Sequence, residues 1–278
     1  MSSIISCINP KQPFFVLAND SYYKVVVMKY GISHFYSYVC DKKYDHGMTV
    51  VPDGSVDLLF CCDKEHPEGN VCGTVLAPKR IINKVGYRYF GVRFMPGHTP
   101  FLGQASMSDV IDEEIAFEDI YRNEREIFEK ITSSDNFEYQ IQVFMEFYLK
   151  RWQSKQLGDK DNLKHDIISY ILHSGGNVPI KELAEEFCYS ERYINNLVKD
   201  ATGLSPKLFC RMMRFQYVLD NISDNSLDTE LIEVAAEAGY YDQSHMMKDF
   251  KAFASITPGK YVHSRIENSY DDRLIILK

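Results

Sequence analysis

Along residues 1–106 the apolar and aromatic positions come in short runs broken by turn residues, which is the spacing of strands. Tyr23–Met28 (YKVVVM) and His34–Val39 (HFYSYV) are rich in β-branched and aromatic side chains. Thr49–Phe60 (TVVPDGSVDLLF) reads as two apolar runs about a Pro52-Asp53-Gly54 turn, proline presetting φ and glycine accepting a positive one. Val71–Leu76 and Tyr87–Phe94 continue the pattern, and Pro96-Gly97 ends it. Short strands at close spacing predict a small sandwich or barrel. From Ser108 the period lengthens: Ser108 or Asp109 can cap, and Ile120, Ile127, Phe128 and Ile131 follow at helical spacing. Over Asn136–Gln153, Phe137, Ile141, Phe144, Met145, Tyr148, Leu149 and Trp152 form one stripe at i, i+3/i+4. That stripe has two readings: packing against the β domain, or a dimer interface in which Ile141, Phe144, Met145, Tyr148 and Trp152 pair with a second copy. The polar run SKQLGDKDN then marks a linker, placed at 156–162 between a domain of residues 1–155 and one of 163–266, with 267–278 as a tail.

Beyond the linker, Leu163–Ser174 reads as a helix ended by Gly175-Gly176, and the chain then repeats itself. A shift of 52 residues, with no gap, lays Ile180 on Ile232, Ala184 on Ala236, Glu185 on Glu237, Tyr189 on Tyr241, Lys199 on Lys251 and Pro206 on Pro258. Chemistry persists where identity does not. Ser190 and Asp242 can both cap, Ile194/Met246 and Val198/Phe250 are apolar, and Ser205 and Thr257 both precede proline. In the second copy, Met246, Met247 and Phe250 give one helix face, while Gln243, Ser244, His245 and Lys248 fall opposite. A capped helix with an apolar underside and a polar outer face, held by a turn, is the helix-turn-helix design whose second helix enters the DNA major groove. The helix from Pro206 to about Asp220, with Leu208, Met212, Phe215 and Leu219 on one side, would join the two copies.

Charge complicates this. The net charge of −8 is shared evenly by the two parts, whereas DNA-binding domains are usually basic. Locally, however, Arg192, Lys199, Lys207, Arg211 and Arg214 outnumber Glu191 and Asp200 between residues 190 and 215, and the local face decides binding. No apolar run reaches the ~20 residues of a membrane span. The opening MSSIISCINP lacks the basic and apolar regions of a secretory leader. Seven cysteines, without a C-x-x-C pair, predict reduced thiols and a cytoplasmic protein.

Residues 163–266 resemble the DNA-binding domain of the AraC/XylS family of bacterial transcription regulators. GYYDQSHMMKDFKAFASITPGKY is similar to that family's signature, and ELAEEFCYSERYINNLVKDATGLSP to its first unit. More loosely, residues 1–155 resemble the cupin-like sensory domains of such regulators, through Pro52-Asp53-Gly54-Ser55-Val56-Asp57-Leu58 and Arg93-Phe94-Met95-Pro96-Gly97. The resemblance implies an α+β chain: a β-rich cupin-like barrel with flanking helices, then an all-α double helix-turn-helix domain. It also implies ligand sensing or dimerisation by the first domain and promoter binding by the second. Carried over by position, the base-reading residues are Arg192, Asn195 and Asn196 on the helix capped by Ser190, and Gln243, Ser244, Met247 and Lys248, with His245 beside them, on the second. Arginine can fork to guanine and asparagine to adenine. Met247 departs from the polar residues usual there and is read as touching a thymine methyl or nothing. Lys199, Lys207, Arg211, Lys251 and Lys260 are candidates for phosphate, which positions but does not specify.

His34, Tyr36 and Tyr38 share a strand face and Arg93 lies nearby, an arrangement that would suit a carboxylated or polar effector; the alternative is a domain that only dimerises. His34, His46 and His98 could supply a metal, but the His-x-His cluster of enzymatic cupins is missing, and His245 lacks a partner at ligand spacing. No metal, cofactor or catalytic residue is therefore expected. Promoter DNA is the expected partner, with RNA polymerase, a small-molecule effector and a second copy of the chain as further candidates and a membrane excluded. The rival readings are a cupin-fold enzyme and a regulator controlled by a protein partner.

Overall fold

The computed structural model describes residues 8–40, 47–98, 100–154, 158–222 and 228–277. After a short helix α1 (Pro13–Leu17), β1 (Tyr22–Lys29) turns into β2 (Ile32–Val39) through Tyr30 and Gly31, both at positive φ. β2 pairs antiparallel with β7 (Arg88–Phe94), β7 with β4 (Asp57–Cys62), β4 with β5 (Glu68–Cys72), and β5 with β8 (Glu114–Ala116). The resulting order, β8-β5-β4-β7-β2-β1-β9, includes β9 (Leu274–Leu277) as a parallel neighbour of β1. A second sheet holds β3 (Met48–Val50) and β6 (Lys79–Ile81).

Because successive strand residues face opposite sides, the large sheet has two distinct apolar faces. Phe35, Leu58, Phe60, Phe90, Val92 and Phe94 point to one side, where the helices α2 (Phe117–Ile120), α3 (Arg125–Thr132) and α4 (Phe137–Ser154) cover them. Tyr36, Tyr38, Cys61 and Tyr89 point to the other, toward Met48 of β3 and Phe15 of α1. The α4 stripe answers to the first face. Phe144 and Tyr148 are each 1% exposed in that core, and Ile141, Met145 and Trp152 lie partly buried against it. These five residues pack as the first of the two readings has it: the sheet's own phenylalanines need a cover, and α4 supplies it.

The C-terminal domain is all helix. It comprises α5 (Asp159–His173), α6 (Ile180–Glu186), α7 (Glu191–Thr202), α8 (Pro206–Asn221), α9 (Asp228–Glu237), α10 (Gln243–Ala254) and α11 (Pro258–Glu267). Two expected boundaries shift. α5 begins inside the segment expected to be a linker, and within the segment expected as a tail α12 (Tyr270–Arg273) and β9 return the chain to the first domain's sheet. Arg273 fixes that return by donating to the carbonyls of Leu17 and Asn19.

The two domains meet along the turn that follows β3. Val51, fully buried, belongs to the helical core, and Gln216 of α8 donates to the Pro52 carbonyl at 2.9 Å. Gly54 adopts φ 72°, and a Cβ there would lie 2.9 Å from Phe209 and 3.3 Å from Met213, both on α8. Gly97 packs on Ile168 of α5 in the same way. Replacing Gly54 with valine should cost about 1–3 kcal/mol through backbone strain and overpacking. An unchanged urea midpoint for this variant would show that the domains do not dock here.

Candidate functional site

The second helices of the two units, α7 and α10, begin and end 52 residues apart, with matching caps at both ends. Ser190 accepts from the Tyr193 amide, Asp242 from that of His245, and Gly203 and Ser255 close the helices in the left-handed region. The caps satisfy otherwise orphaned helix-end groups, so both helices are defined by local chemistry. Their undersides hold Ile194, Leu197 and Val198 in one unit and Met246, Asp249 and Phe250 in the other.

The outer faces carry the residues singled out by sequence. On α7, Arg192, Asn195, Asn196 and Lys199 are exposed, with the Asn195 amide donating to the Glu191 carbonyl at 2.8 Å. On α10, Ser244, His245, Lys248 and Lys251 are exposed and Gln243 is half-buried. The single acidic residue of α10, Asp249, is turned inward. Lys207 and Lys260 are exposed at the starts of α8 and α11. Met247 differs from the others: it is half-buried against the helical core, because a thioether chain gains more from that contact than from water.

Arg211 also departs from expectation. Its Nε and Nη2 donate to Asp249 at 2.8 and 2.7 Å, and its guanidinium lies 4.8 Å from the centre of the Phe253 ring. It is a strut between the connecting helix α8 and α10, with its charge paired to Asp249. The repeat shows why it is needed, since Asp249 occupies the position of Leu197 in the first unit. Replacing Arg211 with alanine should cost on the order of 2 kcal/mol, below the ~3–5 of a fully buried pair because Arg211 keeps some water. A thermal midpoint unchanged by that substitution would remove the strut assignment.

Sequence reasoning passed over Tyr189 and Tyr241 as site residues, although they were markers of the repeat. Both are exposed, by 46% and 94%, immediately before the two caps. Tyr189 leans on the Tyr193 ring, with centroids 4.9 Å apart, and Tyr241 is almost fully exposed; tyrosines at equivalent places of the repeat were the available signal.

In the first domain, a cavity of about 480 Å³ opens between the large sheet and the β3–β6 pair. Its floor is set by register, which puts Arg93 of β7 and Asp57 of β4 in one row. Tyr36 lies over Gly91, where a Cβ would come within 2.0 Å of its ring, so the glycine is what lets the phenol enter. Gly91→Ala should therefore displace Tyr36 or destabilise the chain by about 1–3 kcal/mol, read as a lowered thermal midpoint with altered tyrosine fluorescence.

Arg93 does not face the cavity as a free cation. Nε and Nη2 fork to Asp57 at 3.0 and 2.6 Å, and Nη1 reaches Asp53 at 2.7 Å. Burial pushes the Asp57 carboxyl up, with Arg93 opposing. The expected carboxylate receptor is thus already occupied by the protein's own carboxylates. His34 and Tyr38 are buried beside this row without lining the cavity. Burial, aided by the charges of Lys24 and Arg93, lowers the His34 pKa well below the usual histidine value and keeps its ring neutral.

The histidines considered as ligands do not converge. His34 Nδ1 is 2.9 Å from Ser33 Oγ, and His98 packs on His165 across the domains. His46 lies outside the described residues. Among the described residues no group of three or more His, Cys, Asp or Glu side chains is placed to hold a metal ion, and no helix is long and apolar enough to cross a membrane.

Residues 183–264 match a family model described as a helix-turn-helix domain, and residues 28–116 match a domain of unknown function (DUF6597). No curated protein matches the chain. Among solved structures, the C-terminal domain of AraT, a response regulator from Geobacillus stearothermophilus, is similar at 20% identity over 40% of this chain and 89% of that one, with a TM-score of 0.33. ToxT from Vibrio cholerae is similar at 11% identity over 83% of this chain and 97% of its own, with a TM-score of 0.41. A second ToxT structure, bound to (E)-4-(8-methylnaphthalen-1-yl)but-3-enoic acid, gives 12%, 88%, 99% and 0.39.

Proposed function

We propose that this chain is a DNA-binding transcription regulator of the AraC/XylS type and reads promoter DNA with the outward faces of α7 and α10. The observation that carries this is the duplication of one capped helix with its polar face bare. Arg192, Asn195 and Asn196 would read bases in one major groove, and Ser244, His245 and Lys248 in the next. One helix reaches only a few bases, each good contact giving roughly 1–3 kcal/mol of discrimination. Two on a common connector accumulate specificity within a single chain. Tyr189 and Tyr241, beside the caps, would meet the flanking sugar-phosphate.

Footprinting of the intact protein on its own upstream region should show two protected segments about one helical turn (~10 bp) apart on one face of the duplex. Absence of protection at moderate salt would overturn the assignment.

The first domain would sense a small molecule in the cavity above Arg93. A hydrogen-bonded path joins that cavity to α8: Arg93 holds Asp53, Gln12 holds both Asp53 and the Val51 carbonyl, and Gln216 holds Pro52. Since α8 connects the two units, a change at Asp53 would be felt at the spacing of the recognition helices. Gln216→Leu should leave ligand affinity intact while reducing the effect of ligand on DNA binding, which titrations of DNA with and without ligand would measure. Ligand coupling equal to that of the unaltered chain would rule this path out.

A further inference from the structure

Resting on the reading of this cavity as a sensor, we infer that its ligand carries a cationic head, an ammonium or guanidinium group, that pairs with Asp57 and donates to Ser55. The floor holds one guanidinium against two carboxylates, so it carries an excess negative charge. All three Arg93 nitrogens are engaged, which leaves an incoming carboxylate repelled and without its receptor.

The two carboxylates differ in what they have left to offer. Asp53 accepts from Arg93, Gln12, the Ser55 amide and Thr74, which fills its lone pairs. Asp57 accepts from the Arg93 fork and from the Tyr36 hydroxyl, which leaves it a free lone pair, and it is the most open of the three charged side chains, at 15% exposure. Ser55, 3% exposed and two residues along the same extended segment, has its hydroxyl buried with no hydrogen-bond partner. An unpaired buried hydroxyl is costly, and its residue lines the cavity beside an acceptor carboxylate.

The rim does not reverse the sign, since Lys79, Arg80 and Lys84 stand against Glu68, Asp112, Glu113 and Glu114. Lys79 pairs with Glu114 at 3.3 Å and Lys84 with Glu68 at 2.8 Å. Tyr36, Tyr89 and Phe15 supply aromatic walls, whose faces attract a cation and accept an apolar body. The volume suits a small ligand with one ring or a short chain.

Matched probes of one skeleton test this on the full chain: 2-phenylethylammonium, 2-phenylethanol and 3-phenylpropanoate, each titrated calorimetrically and by thermal shift. The ammonium should bind at least about tenfold more tightly than the carboxylate, with the alcohol between them. Ser55→Ala, which removes only an unpaired hydroxyl, should weaken the ammonium severalfold without lowering the thermal midpoint. Asp57→Asn should erase the preference for the cation; should that variant not fold, the Ser55→Ala titration decides alone. Equal or tighter binding of the carboxylate or the alcohol would overturn the cationic assignment and leave a sensory cavity standing. No binding by any of the three would overturn the sensor reading as well.

Discussion

Replacing Arg93 with methionine should lower stability by about 3–5 kcal/mol, since it leaves two largely buried carboxylates facing each other without their cation. Asp53 and Asp57 keep only 4% and 15% of their side-chain surface exposed. Urea unfolding of the full chain, followed by circular dichroism, measures the loss. Adding Asp57→Leu to Arg93→Met should recover part of it, because one uncompensated charge goes with the carboxylate. Simple addition of the two losses would mean that the groups do not act as a unit.

The variant should also acquire a pH dependence whose sign follows from the missing cation. Burial already holds the folded pKa of Asp57 above its usual value with Arg93 opposing, so removing Arg93 raises it further. Asp57 then binds its proton more tightly when folded, so stability is greatest in acid and falls as pH climbs from about 4 to 7. A variant whose stability instead rose over that window would show the carboxylates to be held by something other than Arg93.

The second large effect is expected on DNA. Arg192→Ala should cost about 1–3 kcal/mol, some 5–150-fold in affinity, at the base it reads and should relax preference at that position alone. Lys207→Ala should weaken all sequences alike and lower the salt slope by about 1, since a phosphate contact carries no sequence information. Binding to a library of mutated sites at two salt concentrations separates the two. If Arg192→Ala left the affinity and the base preference unchanged at moderate salt, α7 would not be the helix that reads bases.

What could be read without coordinates in the helical half shares one property: the partners lie within a few residues of each other. Ser190 and Tyr193, Asp242 and His245, Ser205 and Leu208, and Thr257 and Lys260 are all three apart. The buried series Ile194, Leu197 and Val198 follows from helical periodicity in the same way. The strands were legible for a similar reason, through β-branched and aromatic runs between turns. Met247 and Arg211 were not, because each is claimed by a neighbour brought in from another part of the domain. Arg211 and Asp249 stand 38 residues apart, and only helix packing makes them partners.

The sequence by itself determined the α+β division, the duplicated helix-turn-helix unit with its caps, and the residues on the outer faces of α7 and α10, since a 3.6-residue period and local hydrogen bonds need no knowledge of the rest of the chain. Tertiary structure alone decided where the α4 stripe goes, that β9 closes the sheet beside β1, and that Pro52-Asp53-Gly54 is the seat of α8. It also decided that Arg93 is already neutralised, by carboxylates 36 and 40 residues away along the chain. Strand order and domain docking are choices among many pairings of similar local quality, and they are fixed only when the whole core closes at once.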